Sequence, residues 1–266
     1  MAIMYYELCI NKKNQKMKIL GIIPSRYAST RFPGKPLAMI GSKTMIHRVY
    51  IQASKAFDDI VVATDDDRIF NEVTSFGGKV VMTSPDHQSG TDRCAEAAVK
   101  YCQQTGKSFD AVINIQGDEP FVRPDQLTSL GKLFEDKTVE IATLIKEAKT
   151  GDEIFSENTA KVIVNLKGEA VYFSRSPIPF KRGADKSEWV NKHVYYRHIG
   201  VYAYRYDILQ KITLLPQSSL ELCEKLEQDR WIENGYKIMT CKTDFEGLAV
   251  DTPEDLDKIL RTMDID

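Results

Sequence analysis

From residue 17 to about residue 150, short uninterrupted apolar runs alternate with stretches whose apolar positions recur every three or four residues. Residues 18–23 form the first run, as expected of a strand buried on both faces. Residues 44–57 place Met45, Val49, Ala53 and Phe57 at four-residue spacing, which predicts an amphipathic helix. The rhythm repeats, with strands predicted over 59–64, 79–83, 111–116 and 140–146 and helices over 67–76, 91–104 and 124–134. Gly77 and Gly106 follow predicted helix ends, where a left-handed residue closes the last turn. This alternation predicts an α/β fold: a Rossmann-like, open, mostly parallel sheet covered on both faces.

The pattern then changes. Residues 160–165 and 170–174 flank Lys167-Gly168 and read as a β-hairpin. Residues 176–188, rich in proline and charge, read as a loop. A tyrosine-dense strand is predicted over 194–204, helices over 206–215 and 220–234, and a strand over 236–241. The last helix carries Thr252 as cap, Pro253 at its first position, and Glu254 and Asp255 against the positive end of the dipole. The sheet is therefore placed in 17–150 and 236–266, with 155–235 as an inserted α+β lobe. Residues 1–16 lack a basic start and a small-residue cleavage site, so they are expected to be a disordered extension rather than a secretion signal.

Composition narrows the choice. A chain of 266 residues, 42% hydrophobic and 28% charged, can bury one large core. A net charge of -2 offers no bulk attraction for nucleic acid or a membrane surface, so any anion site must be local. No apolar run approaches the roughly 20 residues needed to span a bilayer. Cys9, Cys94, Cys102, Cys223 and Cys241 show no metal-ligand spacing and are expected to be reduced thiols. Nothing matches a nucleophile elbow or a zinc motif.

The first strand ends at Pro24 and leads into Arg26, Arg31 and Lys35, on a backbone stiffened by Pro33 and Pro36. This is neither a P-loop nor a dinucleotide fingerprint. Two guanidinium groups and an ammonium at a strand end can receive a polyphosphate, and the same residues read equally well as a solvated loop. Pro36 is expected to hold Lys35 out of helical geometry. Gln116-Gly117-Asp118-Glu119-Pro120 follows the most apolar strand, which delivers Asp118 to the carboxyl edge of the sheet, where a carboxylate can bind magnesium or simply close a turn. Asp251 precedes the last helix, and capping does not require it. Asp65-Asp66-Asp67 has the form of a D-x-D metal pair, although capping of the next helix explains it more simply. In His87-Gln88-Ser89-Gly90-Thr91-Asp92-Arg93, the hydroxyls and free amides can read a base edge, cap a helix, or both. In the lobe, Arg175, Arg197, His198, Tyr202, Glu224, Glu227, Gln228 and Arg230 could together bind a polyhydroxylated acid.

Seven segments taken together resemble the 3-deoxy-manno-octulosonate (KDO) cytidylyltransferases. They are Arg26-Tyr27-Ala28-Ser29-Thr30-Arg31-x-Pro33-Gly34-Lys35-Pro36, His87-Gln88-Ser89-Gly90-Thr91, Gln116-Gly117-Asp118-Glu119-Pro120, Tyr172-Phe173-Ser174-Arg175, Arg197-His198-x-Gly200-x-Tyr202, Leu226-Glu227-Gln228 and Val250-Asp251-Thr252-Pro253-Glu254-Asp255. The resemblance runs from Met17 to the C-terminus. Ser25 and Phe32 depart from the more usual Ala and Leu, and Ser218-Ser219 from a proline-richer segment. The resemblance implies a fold of the nucleotide-diphospho-sugar transferase type and condensation of CTP with KDO, giving CMP-KDO and pyrophosphate for lipopolysaccharide synthesis. It implies Mg2+ held by Asp118 and Asp251, and a catalytic set of Arg31, Lys35, Asp118 and Asp251. It assigns the nucleotide to Arg26, Ser29, Arg31, Lys35, Gln88, Ser89, Gly90 and Arg93. It assigns the sugar to Gln116, Arg175, His198, Tyr202, Glu227 and Gln228. It further implies a cytoplasmic homodimer whose interface lies in the lobe. The same loops would serve a cytidylyltransferase for sialic acid or 8-amino-KDO. A non-catalytic nucleotide-binding regulator would not need Lys35, Asp118 and Asp251, and a D-x-D glycosyltransferase would not need the cationic loop.

Overall fold

The computed structural model describes residues 17–28, 31–262 and 265. The expectations for residues 1–16 and for Ser29 lie outside them. The elements in chain order are β1 (Ile19–Ser25), a 3₁₀ turn (Lys35–Leu37), β2 (Met39–Ile40), β3 (Lys43–Thr44), α1 (Met45–Ser54), β4 (Asp59–Thr64), α2 (Asp67–Ser75), β5 (Val80–Met82), α3 (Gly90–Thr105), β6 (Ala111–Asn114) and α4 (Pro124–Leu133). Then come β7 (Ile141–Glu147), α5 (Gly151–Phe155), β8 (Lys161–Val164), β9 (Glu169–Ser174), a second 3₁₀ turn (Lys186–Glu188), α6 (Trp189–Lys192), β10 (Tyr196–Arg205), α7 (Tyr206–Ile212), α8 (Ser219–Glu224), α9 (Glu227–Glu233), β11 (Ile238–Lys242) and α10 (Pro253–Thr262).

Nine strands form one sheet in the order β5-β4-β1-β6-β10-β7-β11-β9-β8. The pairings orient all but β9 and β10 the same way, which agrees with a mostly parallel sheet. Successive side chains of β1 enter opposite layers, as strand geometry requires. Leu20 and Ile22 pack with Cys94, Ala97 and Ala98 of α3. Ile23 packs with Ile46 and Val49 of α1 and Ile69 and Val73 of α2.

Segment 155–235 supplies the hairpin and helices expected of it, yet it shares the sheet. Its β10 runs antiparallel between β6 and β7. The register of β10 against β7 shifts between Ile199 and Tyr202. Ahead of the shift, Tyr196 and Arg197 pair with β8. Beyond it, Tyr202–Arg205 pair with β6. The predicted helix over 220–234 is two helices, because Lys225 adopts φ 54° between α8 and α9. That break puts Glu227 and Gln228 in the first turn of α9.

Candidate active site

The cationic stretch is shaped by a turn. The Gly34 N–H donates to the Tyr27 carbonyl at 2.9 Å, and Gly34 takes φ 71°. A Cβ on Gly34 would also lie 3.1 Å from the Tyr27 ring, so glycine is needed for both backbone and space. Lys35 is not held out of helical geometry; it opens the 3₁₀ turn, where Pro36 costs no intrahelical donor. The turn aims Lys35 at two carboxylates. Its Nζ lies 2.7 Å from Asp118 Oδ2 and 3.4 Å from Asp251 Oδ1, and Arg31 Nη2 lies 3.1 Å from the same Asp251 oxygen. Arg26 and Arg31 are exposed, while Lys35 is largely covered.

Asp118 and Asp251 are 133 positions apart in sequence and are joined by backbone. After β6, Ile115 N–H donates to the Ile22 carbonyl. A Cβ on Gly117 would lie 2.9 Å from the Pro24 carbonyl oxygen, so a larger residue would push the turn off β1. The Val250 N–H donates to the Asp118 carbonyl at 2.9 Å, and Val250 is buried with Ile40, Met45 and Ile259. Asp255 accepts the N–H groups of Asp251 and Thr252, which lower its pKa. The cap is thereby complete, and the Asp251 carboxylate is left to meet Arg31 and Lys35. Glu119 lies behind Asp118, where burial and then the charges of Asp118 and Glu246 raise its pKa to about 7.

The loop before α3 reaches the same edge. Ser89 caps α3 and exchanges hydrogen bonds with Asp92. A Cβ on Gly90 would lie 3.6 Å from Pro24 Cγ and 3.8 Å from Asn114 Nδ2, which places Gly90 over the ends of β1 and β6. Gln88 Nε2 donates to the Asp86 carbonyl. Arg93, expected to contact the nucleotide, is turned inward: it is 1% exposed and donates to Thr83 Oγ1 at 2.6 Å and Asp65 Oδ2 at 2.7 Å. Asp66 caps α2 and binds Arg68, so the D-x-D pattern resolves into helix capping and an interior ion pair.

The residues expected to meet the sugar lie in aromatic, covered surroundings. The rings of His198 and Tyr202 are 5.1 Å apart, with Phe173 edge-on to His198 at 5.2 Å and Trp231 edge-on to Tyr202 at 5.1 Å. Burial pushes the His198 pKa down to about 3. Thr143 Oγ1 donates to the Val201 carbonyl at 2.9 Å and also lies 2.9 Å from His198 Nε2. A hydroxyl has one proton, so the neutral imidazole donates from Nε2 and keeps Nδ1 as an acceptor. Glu227 accepts from Thr91 Oγ1 at 2.8 Å, and burial raises its pKa. Among the described residues, buried Gln228 Nε2 and Asn114 Oδ1 have no hydrogen-bond partner.

Two expected sugar contacts are engaged with backbone. Arg175 donates to the carbonyls of Glu224 and Glu157 at 2.7 and 2.9 Å. Gln116 donates to the Gly200 carbonyl at 2.8 Å, which holds the irregular turn of β10. Glu224 accepts from Tyr172, Ser174 and the Arg175 amide, and Arg230 pairs with Glu221. Arg197, expected with the sugar contacts, is paired instead with Glu246 and Glu153, while Asn114, Thr143 and Glu246 escaped the sequence reading. Asn114 ends an apolar run in β6 and Thr143 interrupts the apolar run Ile141–Ile145 of β7, which was the one signal available. Among the described residues, no group of three or more His, Cys, Asp or Glu side chains is arranged to hold a metal ion.

A mixed sheet carrying a cationic loop against two convergent carboxylates is the arrangement expected of a nucleotidyltransferase. The cytidylyltransferase family model matches residues 20–238, and the chain belongs to that family, within its 3-deoxy-manno-octulosonate branch. The 3-deoxy-manno-octulosonate cytidylyltransferase of Bacteroides thetaiotaomicron is 59% identical over 90% of this chain and 96% of its own length. That of Parabacteroides distasonis is 53% identical over 92% and 97%. The solved structure of CMP:2-keto-3-deoxy-manno-octonic acid synthetase complexed with CTP aligns with a TM-score of 0.84 and 41% identity, covering 92% of this chain and 97% of that one.

Proposed function

We propose that the chain transfers the cytidylyl group of CTP to 3-deoxy-manno-octulosonate and releases pyrophosphate. The observation that carries this reading is Lys35 between Asp118 and Asp251, with Arg31 alongside, at the end of β1. The names of the relatives, and the CTP complex of the similar structure, support the choice of substrates. In the reaction the anomeric hydroxyl of the sugar attacks the α-phosphorus in line. The bond from that phosphorus to the bridging oxygen breaks, and the hydroxyl proton leaves to solvent. Arg26, Arg31 and Lys35 neutralise charge that grows on the departing pyrophosphate, where donors set in advance act most strongly. His198, kept neutral, offers Nδ1 to a sugar hydroxyl, and Tyr202, Glu227 and Gln228 supply further polar groups.

Magnesium fits the donor set. Asp118 and Asp251 converge on one ammonium, and a pair of carboxylates completed by phosphate oxygens is what this ion prefers. When bound, it would supply Lewis-acid stabilisation of the phosphate oxygens and a more acidic attacking hydroxyl. Asp118 and Asp251 would hold it, and Lys35 would turn to the phosphates. The product chemistry is consistent with a place in lipopolysaccharide biosynthesis in the cytoplasm. No helix among the described residues is long and apolar enough to cross a membrane. Exposed Leu166, Val171 and Leu222 in segment 155–235 suit a homodimer interface.

The test measures pyrophosphate release with magnesium, each of the four nucleoside triphosphates, and KDO, 8-amino-KDO or sialic acid. CTP with KDO is expected to give the highest rate. No release from that pair rejects the reading, and a faster second sugar transfers it to that acceptor.

A further inference from the structure

One face of α3 is tied to the loop that precedes it. Arg93, Glu96 and Lys100 stand at i, i+3 and i+7, which places them on one side of the helix. Arg93 holds Thr83. Glu96 Oε2 accepts the Ser84 N–H at 2.8 Å and is hydrogen-bonded to His87 Nε2. Lys100 donates to the Met82 carbonyl at 2.8 Å and pairs with Glu96 Oε1 at 2.6 Å. The residues these contacts pin, Met82, Thr83, Ser84 and His87, lead directly into Gln88, Ser89 and Gly90. Gly90 in turn rests against Pro24 and Asn114, at the edge where the cationic loop begins.

We propose that Glu96 is a positioning residue for nucleotide recognition, fixing loop 84–90 against the end of β1 through the Ser84 amide and His87. Among the described residues, Glu96 is bonded to Ser84, His87 and Lys100 and to no residue of the cationic loop, nor to Asp118 or Asp251. Its effect passes through the backbone that carries Gln88, Ser89 and Gly90. Burial opposes its ionisation, but Lys100, the Ser84 amide and His87 overcome that and hold the carboxyl at about 2. The acceptor therefore stays fully charged at neutral pH, where charged hydrogen bonds are strongest. Arg93, turned inward onto Thr83 and Asp65, belongs to the same device rather than to the nucleotide contacts.

The inference rests on the reading that loop 84–90 faces the nucleotide, so the experiment separates the two. KM for CTP, KM for KDO and kcat are measured for Glu96→Gln, His87→Asn and Gly90→Val, with circular dichroism to check folding. Loss of a charged hydrogen bond to the loop is expected to raise KM for CTP about tenfold in Glu96→Gln and several-fold in His87→Asn. KM for KDO and kcat should stay within about twofold, a split that general loss of stability would not produce. An unchanged KM for CTP in both variants, with a raised one in Gly90→Val, overturns the positioning role and leaves the nucleotide reading standing. An unchanged KM for CTP in Gly90→Val overturns both. Should Glu96→Gln not fold, His87→Asn, altered at a partly exposed loop residue, decides the matter alone.

Discussion

The two sides of the site meet opposite electrostatic conditions. At the phosphate end Arg31 and Asp251 stand in water, and Arg31, Lys35, Asp118 and Asp251 each have an opposite charge beside them. At the acceptor end the groups are covered by Phe173, Tyr202 and Trp231, and their ionisation is suppressed: His198 is driven neutral and Glu227 is raised. A highly charged nucleotide needs mobile, solvated countercharge that can exchange a carboxylate for a phosphate. A sugar is read by hydrogen bonds, which gain strength where water is excluded. Lys35 marks the boundary, since it is mostly covered yet charge-paired on both sides.

That contrast can be broken from either end. The largest effect is expected of Asp118→Asn, which removes one of the two convergent carboxylates without changing shape. Steady-state kinetics should show kcat lower by about a thousandfold with the fold intact, and near-normal turnover would remove Asp118 from the chemistry. On the acceptor side, His198→Ala should raise KM for KDO by roughly tenfold or more and leave KM for CTP nearly unchanged. Equal changes in the two constants would move His198 out of the sugar site.

Acid titration sharpens the same contrast. An imidazole at about 3 when folded and 6.5 when unfolded takes its proton in the unfolded chain first. Stability contributed by keeping His198 neutral is thus full above pH 6.5 and falls as pH drops from there towards 3. Between pH 7.5 and 5 the loss should be about 2 kcal/mol by denaturant unfolding, and His198→Gln should abolish most of it. A second titration involves Asp229, which is fully buried, with a backbone hydrogen bond from Phe173 only partly opposing the cost of its charge. Burial raises its carboxyl to about 7, so it weakens the native state progressively as pH rises from 3.8 to 7. Asp229→Asn should stabilise the protein by about 3 kcal/mol more at pH 7 than at pH 4, and no gain at pH 7 would mean that its environment is more polar than its burial suggests.

Much of this was legible in the residues. Strand β4 at 59–64, the caps Ser89 and Thr252, and the turn glycines Gly34 and Gly117 follow from local physics: apolar runs, cap chemistry and backbone sterics. Delivery of Asp118 to the sheet edge also followed, because a both-face apolar strand projects its next residues there. Asp251, expected at a strand end, instead lies nine residues beyond β11 and is seated by the Val250 N–H on the Asp118 carbonyl. The inward turn of Arg93 was hidden, since a helix-start arginine beside a capping serine looks the same whether it meets a ligand or Asp65. The shared sheet of segment 155–235 was hidden too, because β10 finds its partners among strands far away in the chain.

What the chain determined by itself, then, was each element and the polar groups at its ends, since these depend on neighbours within a few residues. Only the tertiary structure decided which ends meet. The 2.7 Å approach of Lys35 to Asp118, the seating of Val250 on the Asp118 carbonyl and the dry surroundings of His198 each join residues far apart in sequence. Burial and pairing across such distances belong to the packed sheet, and burial there disfavours charge on His198 and Glu227.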